Sequence, residues 1–127
     1  MEYFDMESHN PMYVCYNTPF QYNVNDCCLM VANYYKSTTG IDYMEKFRGK
    51  YTTQVGAYLL MKRAGGIVKI LEDAGFHEVK KTFARTGDVA LYDSGRILTP
   101  GIVNGSECVF AGGKTIKLSK MTSIYRK

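Results

Sequence analysis

The sequence has no tryptophan, only three prolines and two histidines, and no long hydrophobic run among its 127 residues. Without such a run, and without an apolar leader behind a basic start, we expect a soluble chain with no membrane span and no signal peptide. Hydrophobic residues make up 46% of the chain and charged residues 22%, which excludes disordered and collagen-like proteins. The length suits one domain, so we expect residues 1–127 to form a single domain.

Basic residues are missing from the first 35 positions, which carry four acidic residues. The net charge of +4 therefore divides into −4 for this segment and +8 for the rest of the chain. Three interpretations stay open: the acidic segment docks on the basic body, it attracts a partner, or it is a solvated surface. The total charge is too small to identify a partner by itself.

Cysteine and histidine are sparse, and their spacing argues against a metal site. The cysteines are Cys15, Cys27, Cys28 and Cys108, and no two of them show the spacing of a zinc-binding turn. We therefore expect no metal and no cofactor. We also expect no disulfide framework, since a chain of this size can bury a sufficient core without one. Cys27 and Cys28 would point about 100° apart on a helix and so serve different roles. Only His9 and His77 are available for imidazole chemistry.

Helical patterns follow an irregular start. We expect residues 1–24 to be irregular, acidic and rich in tyrosine, and residues 25–75 to be helical. Asn25 or Asp26 caps a helix that Gly40 ends, and its nearly all-round apolar surface predicts a central position. Further helices are predicted over residues 42–47, from Thr52 or Thr53 to Gly65-Gly66, and over residues 67–74, with Gly75 as the stop.

The alternation of residues 76–127 predicts strands, at 89–92, 97–103, 107–110, 115–119 and 123–126, joined by tight turns such as residues 93–96. Asn104-Gly105-Ser106 fits a turn better than a glycosylation site, and Gly112-Gly113-Lys114-Thr115 fits a hairpin better than a phosphate-binding loop. The predicted class is α+β, with N-terminal helices packed on one side of an antiparallel β-meander.

The order of these parts resembles the NlpC-type papain-fold cell-wall peptidases, with Asp26-Cys27 matching their nucleophile motif and Gly87-Asp88 the start of their first strand. A closer resemblance, over most of the chain, is to a family of small phage and prophage proteins on the same fold, a domain of unknown function. The matching blocks are Pro19–Tyr22, Asp26–Cys28, Thr39–Asp42, Arg48–Tyr51, Gly56-Ala57, Arg63–Gly66, Gly87–Leu91 and Gly101–Val103. Tyr22 and Asn23 stand where these relatives usually have Trp and Gly, which marks a divergent member.

The resemblance implies a papain-like fold and places Cys27 at the nucleophile position, where helix N–H dipoles favour a thiolate. It also places Thr99 at the position of the catalytic histidine, and Thr99 cannot take a proton from a thiol. The residue that should orient the imidazole falls near Phe110 or Ala111, whose side chains form no hydrogen bonds. Cys27 is therefore interpreted as a vestigial nucleophile. Catalysis would require His9 or His77 to act as the base in place of the missing histidine.

The leading functional hypothesis is a catalytically degenerate papain-fold phage protein that acts as a structural or binding module. It would be a virion tail or neck component or an assembly adaptor, located in the virion or in the host cytoplasm during assembly. Its expected partners are other virion proteins, with peptidoglycan as a further candidate ligand. The alternative is an active cysteine hydrolase, a peptidoglycan endopeptidase or amidase that uses Cys27.

Two further features of the sequence carry predictions. A basic C-terminal stretch interleaved with Tyr125 would suit nucleic acid, but basic edge strands also prevent edge pairing, so a nucleic-acid partner is disfavoured. That stretch comprises Lys114, Lys117, Lys120, Arg126 and Lys127, and no acidic neighbour is expected for Lys117. The block Arg48–Tyr51 is predicted to be structural, with Gly49 at a positive φ and Arg48 bound to a carboxylate or a helix C-terminus.

Overall fold

The computed structural model describes residues 10–95 and 97–127, in which helices precede a single antiparallel sheet. The helices are α1 (Pro11–Asn17), α2 (Cys27–Thr39), α3 (Gln54–Arg63) and α4 (Ile67–Asp73). The strands are β1 (His77–Val79), β2 (Val89–Asp93), β3 (Leu98–Asn104), β4 (Glu107–Phe110), β5 (Lys114–Lys117) and β6 (Ser123–Arg126). The predicted α+β class is confirmed by this arrangement of four helices and six strands in the described residues.

Helix α2 is the central helix, as its apolar sequence predicts. The Asp26 side chain caps its first turn, and Gly40 ends it in a left-handed conformation with φ +80°. Four consecutive residues, 29–32, are buried, so the helix is packed on more than one side. No helix in the described part of the chain is long and apolar enough to cross a membrane.

The irregular start predicted for residues 1–24 is wrong where α1 forms. Asn10 caps this helix by accepting hydrogen bonds from the N–H groups of Met12 and Tyr13, at 2.9 and 3.3 Å. Pro11 occupies the first turn, where its missing N–H costs nothing. The acidic residues before Asn10, and with them His9, lie outside the described residues.

The predicted helix over residues 42–47 is also wrong, because this stretch forms consecutive hydrogen-bonded turns. The Asp42 side chain accepts hydrogen bonds from the N–H of Met44 and from Arg48, which fixes the turns in place. Helices α3 and α4 lie where they were predicted. Thr53 caps α3, and Gly75, at φ +95°, follows the end of α4.

The sheet is antiparallel throughout but is not a simple meander, since its strand order is β1-β6-β2-β3-β4-β5. Strands β2 to β5 are consecutive neighbours, whereas β6 inserts between β1 and β2. Strand β1 was not predicted, because its three residues are too few to show alternation. Strand β5 ends at Lys117, short of the predicted limit, because residues 118–120 form a 3₁₀ helix. The turn predicted at residues 93–96 includes Arg96, which is outside the described residues.

Both faces of the sheet are covered in the described structure. Helices α1, α2 and α4 pack on one face, against inward side chains that include Val89, Ile102 and Val109. Segments 79–84 and 116–121, each containing a 3₁₀ turn, pack on the other face against Ala90, Val103 and Ile124. A third cluster joins α2 to α3, α4 and residues 43–51. The helices thus lie on one side of the sheet, as predicted.

Candidate functional site

The N-terminus of α2 is fixed by the buried carboxylate of Asp26, which accepts three hydrogen bonds. Its Oδ1 accepts from the N–H of Leu29 at 3.0 Å, and its Oδ2 from the N–H of Asn23 at 3.0 Å and the hydroxyl of Tyr51 at 2.5 Å. The first bond is a helix cap, and the other two tie the cap to chain segments on either side of it. Asp26 therefore holds the next residue, Cys27, in a defined position.

The block Arg48–Tyr51 completes this support, and the carboxylate partner predicted for Arg48 and the positive φ predicted for Gly49 are confirmed. Arg48 binds both carboxylate oxygens of Asp42, with its Nε 2.6 Å from Oδ2, and also donates to the side-chain oxygen of Asn33 in α2. Gly49 has φ +75° and donates its N–H to the side chain of Asn23 at 2.6 Å. Asn23 itself has φ +66°, a left-handed conformation that Asn and Gly tolerate best.

An open groove of about 300 Å³ lies beside Cys27. We call it the Cys27 groove, and its lining residues are Phe20, Cys27, Tyr92, Ser94, Thr99, Phe110, Ala111, Lys114 and Ile116. Most of the lining comes from the ends of β2, β3, β4 and β5 that meet at one end of the sheet. Its size is at the lower limit of ordinary ligand sites, and its mixture of aromatic rings with a few polar groups is typical of them.

The groove brings together the residues on which the sequence-based interpretation rests. Cys27 comes from the first turn of α2, and Thr99, Phe110 and Ala111 come from the strand ends. Gly101 allows β3 and β4 to pack closely there, because a Cβ at this position would lie 2.6 Å from the carbonyl oxygen of Val109. A base at position 99 and an orienting group at position 110 or 111 would thus share one groove with the thiol.

The Cys27 thiol is held in its protonated form by its surroundings. Burial raises its pKa, the nearby charge of Asp26 raises it further, and backbone hydrogen bonds oppose these effects only in part. The helix N-terminus that should favour a thiolate is thus outweighed by desolvation. Cys28, the next residue, packs between two core clusters, so the two cysteines have different surroundings.

Of the two histidines, His9 lies outside the described residues and His77 is not among the residues that line the Cys27 groove. His77 lies on β1, an exposed strand at the edge of the sheet, where it pairs with Arg126 of β6. Two strands separate β1 from β3, which carries Thr99, so His77 belongs to another part of the surface. Among residues 10–95 and 97–127, the groove contains no imidazole, and no three His, Cys, Asp or Glu residues cluster as metal ligands would.

The block Gly87–Leu91 begins at a distance from the groove, and the contacts of its first two residues are structural. The buried carboxylate of Asp88 accepts from Nε and Nη2 of Arg126, at 2.9 and 2.7 Å, and from the N–H of Arg85. Gly87, at φ +99°, accepts a hydrogen bond from Tyr35 on its carbonyl. These contacts fix the start of β2 to β6 and α2, at the opposite end of β2 from the groove.

Sequence reasoning missed several residues that complete the groove. Phe20 packs against the turn between β4 and β5, where a Cβ at Gly112 would lie 3.5 Å from the Cβ of Phe20. Tyr92, Lys114 and Ile116 enter from strands whose alternation is visible in the sequence. Their convergence on one groove depends on strand order, for which the sequence gives no signal.

The fold and the groove together define an α+β domain with a helix-borne cysteine at the end of its sheet. The chain belongs to the family described as a domain of unknown function, DUF6950, whose model matches residues 8–127. Membership of a domain-of-unknown-function family, which the sequence predicts, is thus confirmed. A comparison with the curated proteins finds no match.

Proposed function

We propose that this chain is a non-catalytic binding module on a papain-type fold, and that it serves as a structural or adaptor protein in phage particles or their assembly. The observation that carries the proposal is the Cys27 groove, which combines a well-placed cysteine with threonine at the expected position of the base. The groove is open and lined with aromatic rings, so it retains the features of a binding site.

The chemistry of the groove supports binding over turnover. A cysteine nucleophile needs a base to remove its proton and a charged partner to stabilise the thiolate. The described lining offers Ser94, Thr99 and Tyr92, none of which is a base near neutral pH, and Lys114, whose ammonium group has no free electron pair. Loss of general acid–base catalysis alone costs roughly 10²–10⁴-fold in rate.

An active cysteine hydrolase that acts on peptidoglycan is the second candidate, and Cys27 favours it by lying in the groove at the start of α2. It requires a base from outside the described lining. The raised pKa of Cys27 argues against it, because a nucleophile paired with a base would show a lowered pKa.

The particle assignment rests on the resemblance to phage proteins and has a direct test. Mass spectrometry of particles purified from a lysate of the phage or induced prophage that encodes this chain should detect its peptides. Their amount should be proportional to that of a tail or neck protein across the particle peak of a density gradient. If the chain is abundant in the lysate but absent from the particle peak, it is not a virion component.

A further inference from the structure

Positive charge is concentrated in two segments, of which only Ala111, Lys114 and Ile116 contribute to the Cys27 groove. Residues 79–87 and 111–127 contain eight of the sixteen basic residues of the chain and none of its twelve acidic residues. The remainder of the chain is therefore net negative. Such segregation produces a local positive potential that the overall charge of +4 does not reveal.

The fold brings these two segments into contact. The ammonium group of Lys81 donates to the carbonyl oxygens of Ser119 and Met121, each at 3.0 Å. Lys120 lies between those two residues in the chain, so the 3₁₀ turn at residues 81–83 and the one at 118–120 lie side by side. Their cations consequently share one surface although about forty residues separate them in the sequence.

Phe83 stands out from this surface. Arg126, itself held by Asp88, donates to the Phe83 carbonyl at 2.9 Å, and the N–H of Arg85 donates to Asp88 at 2.8 Å. The backbone around Phe83 is therefore fixed, yet 66% of the residue is exposed. An aromatic ring presented on a fixed backbone loses little conformational entropy when it binds a partner.

Three cations in and beside the two 3₁₀ turns are free to meet a partner: Lys80, Arg85 and Lys120. All three are exposed, and none pairs with a carboxylate in the described part of the chain. The nearest acidic groups in sequence are Glu78, on the edge strand, and Asp88, which is occupied by Arg126. We call Lys80, Lys81, Phe83, Arg85 and Lys120 the basic face.

The basic face differs from the C-terminal basic stretch that the sequence indicates as a candidate nucleic-acid surface. Tyr125 is buried and offers no ring for stacking, and Arg126 is bound to Asp88. Lys117 lies opposite Glu107 in the β4–β5 register, so the expectation that it has no acidic neighbour is wrong. The Lys127 ammonium lies over the ring of Phe76.

We propose that the basic face binds single-stranded nucleic acid. Lysine and arginine neutralise backbone phosphates, and an exposed ring among them stacks on an unpaired base, which is the usual chemistry of single-strand binding. A purely acidic protein surface would bind the cations of the basic face but would make no stacking contact with the Phe83 ring. A duplex would have its bases already stacked and would gain nothing from Phe83.

Fluorescence anisotropy with labelled oligothymidylate and oligouridylate of about 20 nucleotides tests the proposal. The full chain should bind both, and log K should fall with log salt with a slope of about −2, as three neutralised phosphates of a single strand require. Phe83→Ala should weaken binding about tenfold through lost stacking. The triple variant Lys80→Ala/Arg85→Ala/Lys120→Ala should weaken it at least about tenfold and flatten the salt dependence.

A matched triple variant, Lys46→Ala/Lys50→Ala/Lys62→Ala, removes three exposed lysines elsewhere and should leave binding unchanged, with circular dichroism checking the fold of every variant. Equal losses in the two triple variants, or no binding by the wild type, would overturn the proposal. So would duplex binding as tight as single-strand binding, or full affinity in Phe83→Ala. Displacement of the oligonucleotide by polyglutamate of equal charge at equal concentration would point to an acidic protein partner instead.

Discussion

Replacing Thr99 by histidine should convert Cys27 from a slow thiol into a fast one. In the wild type, burial and the nearby charge of Asp26 raise the Cys27 pKa above that of an ordinary thiol, so very little thiolate is present in mildly acidic solution. An imidazolium across the groove would stabilise the thiolate and lower the pKa of Cys27. Alkylation of Cys27 by iodoacetamide at about pH 6 should then become at least about 100-fold faster.

The measurement is the alkylation rate against pH, with tandem mass spectrometry separating Cys27 from Cys28. In the wild type the rate should keep rising beyond the pH range of an ordinary thiol, because the pKa is raised. In Thr99→His it should reach its plateau at lower pH. Thr99→Gln, which fills the space without titrating, should behave like the wild type. If Thr99→His labels at the wild-type rate, position 99 does not face the thiol, and the assignment of the base position is wrong.

Asp26→Ala should cause a large loss of stability, of about 3 kcal/mol in the free energy of unfolding. The variant loses a helix cap worth about 1 kcal/mol. It also leaves the buried Tyr51 hydroxyl and the part-buried Asn23 N–H without their acceptor. An unpaired buried group costs about 1–3 kcal/mol, and the low end of that range applies to each of these two. Denaturant-induced unfolding followed by circular dichroism measures the change.

Two companion variants separate these contributions. Tyr51→Phe removes one donor and should cost about 1 kcal/mol. Asp73→Ala makes the same chemical change at an exposed residue, whose ion pair with Lys69 lies at the surface, and should cost less than about 0.5 kcal/mol. If Asp26→Ala is no more destabilising than Asp73→Ala, the hydrogen bonds to Asp26 do not hold the start of α2.

The features that the sequence predicted well are those decided by local chemistry. Asp26 and Gly40 bracket α2 because one side chain can cap a helix and the other residue can adopt a left-handed conformation. Gly49 and Arg48 behave as predicted for the same reason, since a positive φ and a carboxylate partner are local requirements. Helix α1 carried the same kind of signal in Asn10-Pro11, an N-cap followed by proline at the first helical position.

The features that the sequence did not predict depend on long-range packing. Strand β6 enters between β1 and β2, and no local pattern specifies that position. The same limitation applies to the basic face, because the contact of Lys81 with Ser119 joins segments that look unrelated in the sequence. The Cys27 groove is an intermediate case. The resemblance brought Cys27 and Thr99 to attention, but Phe20, Tyr92 and Lys114 entered only through the three-dimensional arrangement.

The proposal that the Cys27 groove does not catalyse hydrolysis is tested by measuring the release of soluble fragments from purified peptidoglycan. Wild type and Cys27→Ala should both release no more than buffer over a time in which lysozyme, as positive control, dissolves the same material. Release by the wild type that Cys27→Ala abolishes would contradict the proposal and would establish an active cysteine hydrolase.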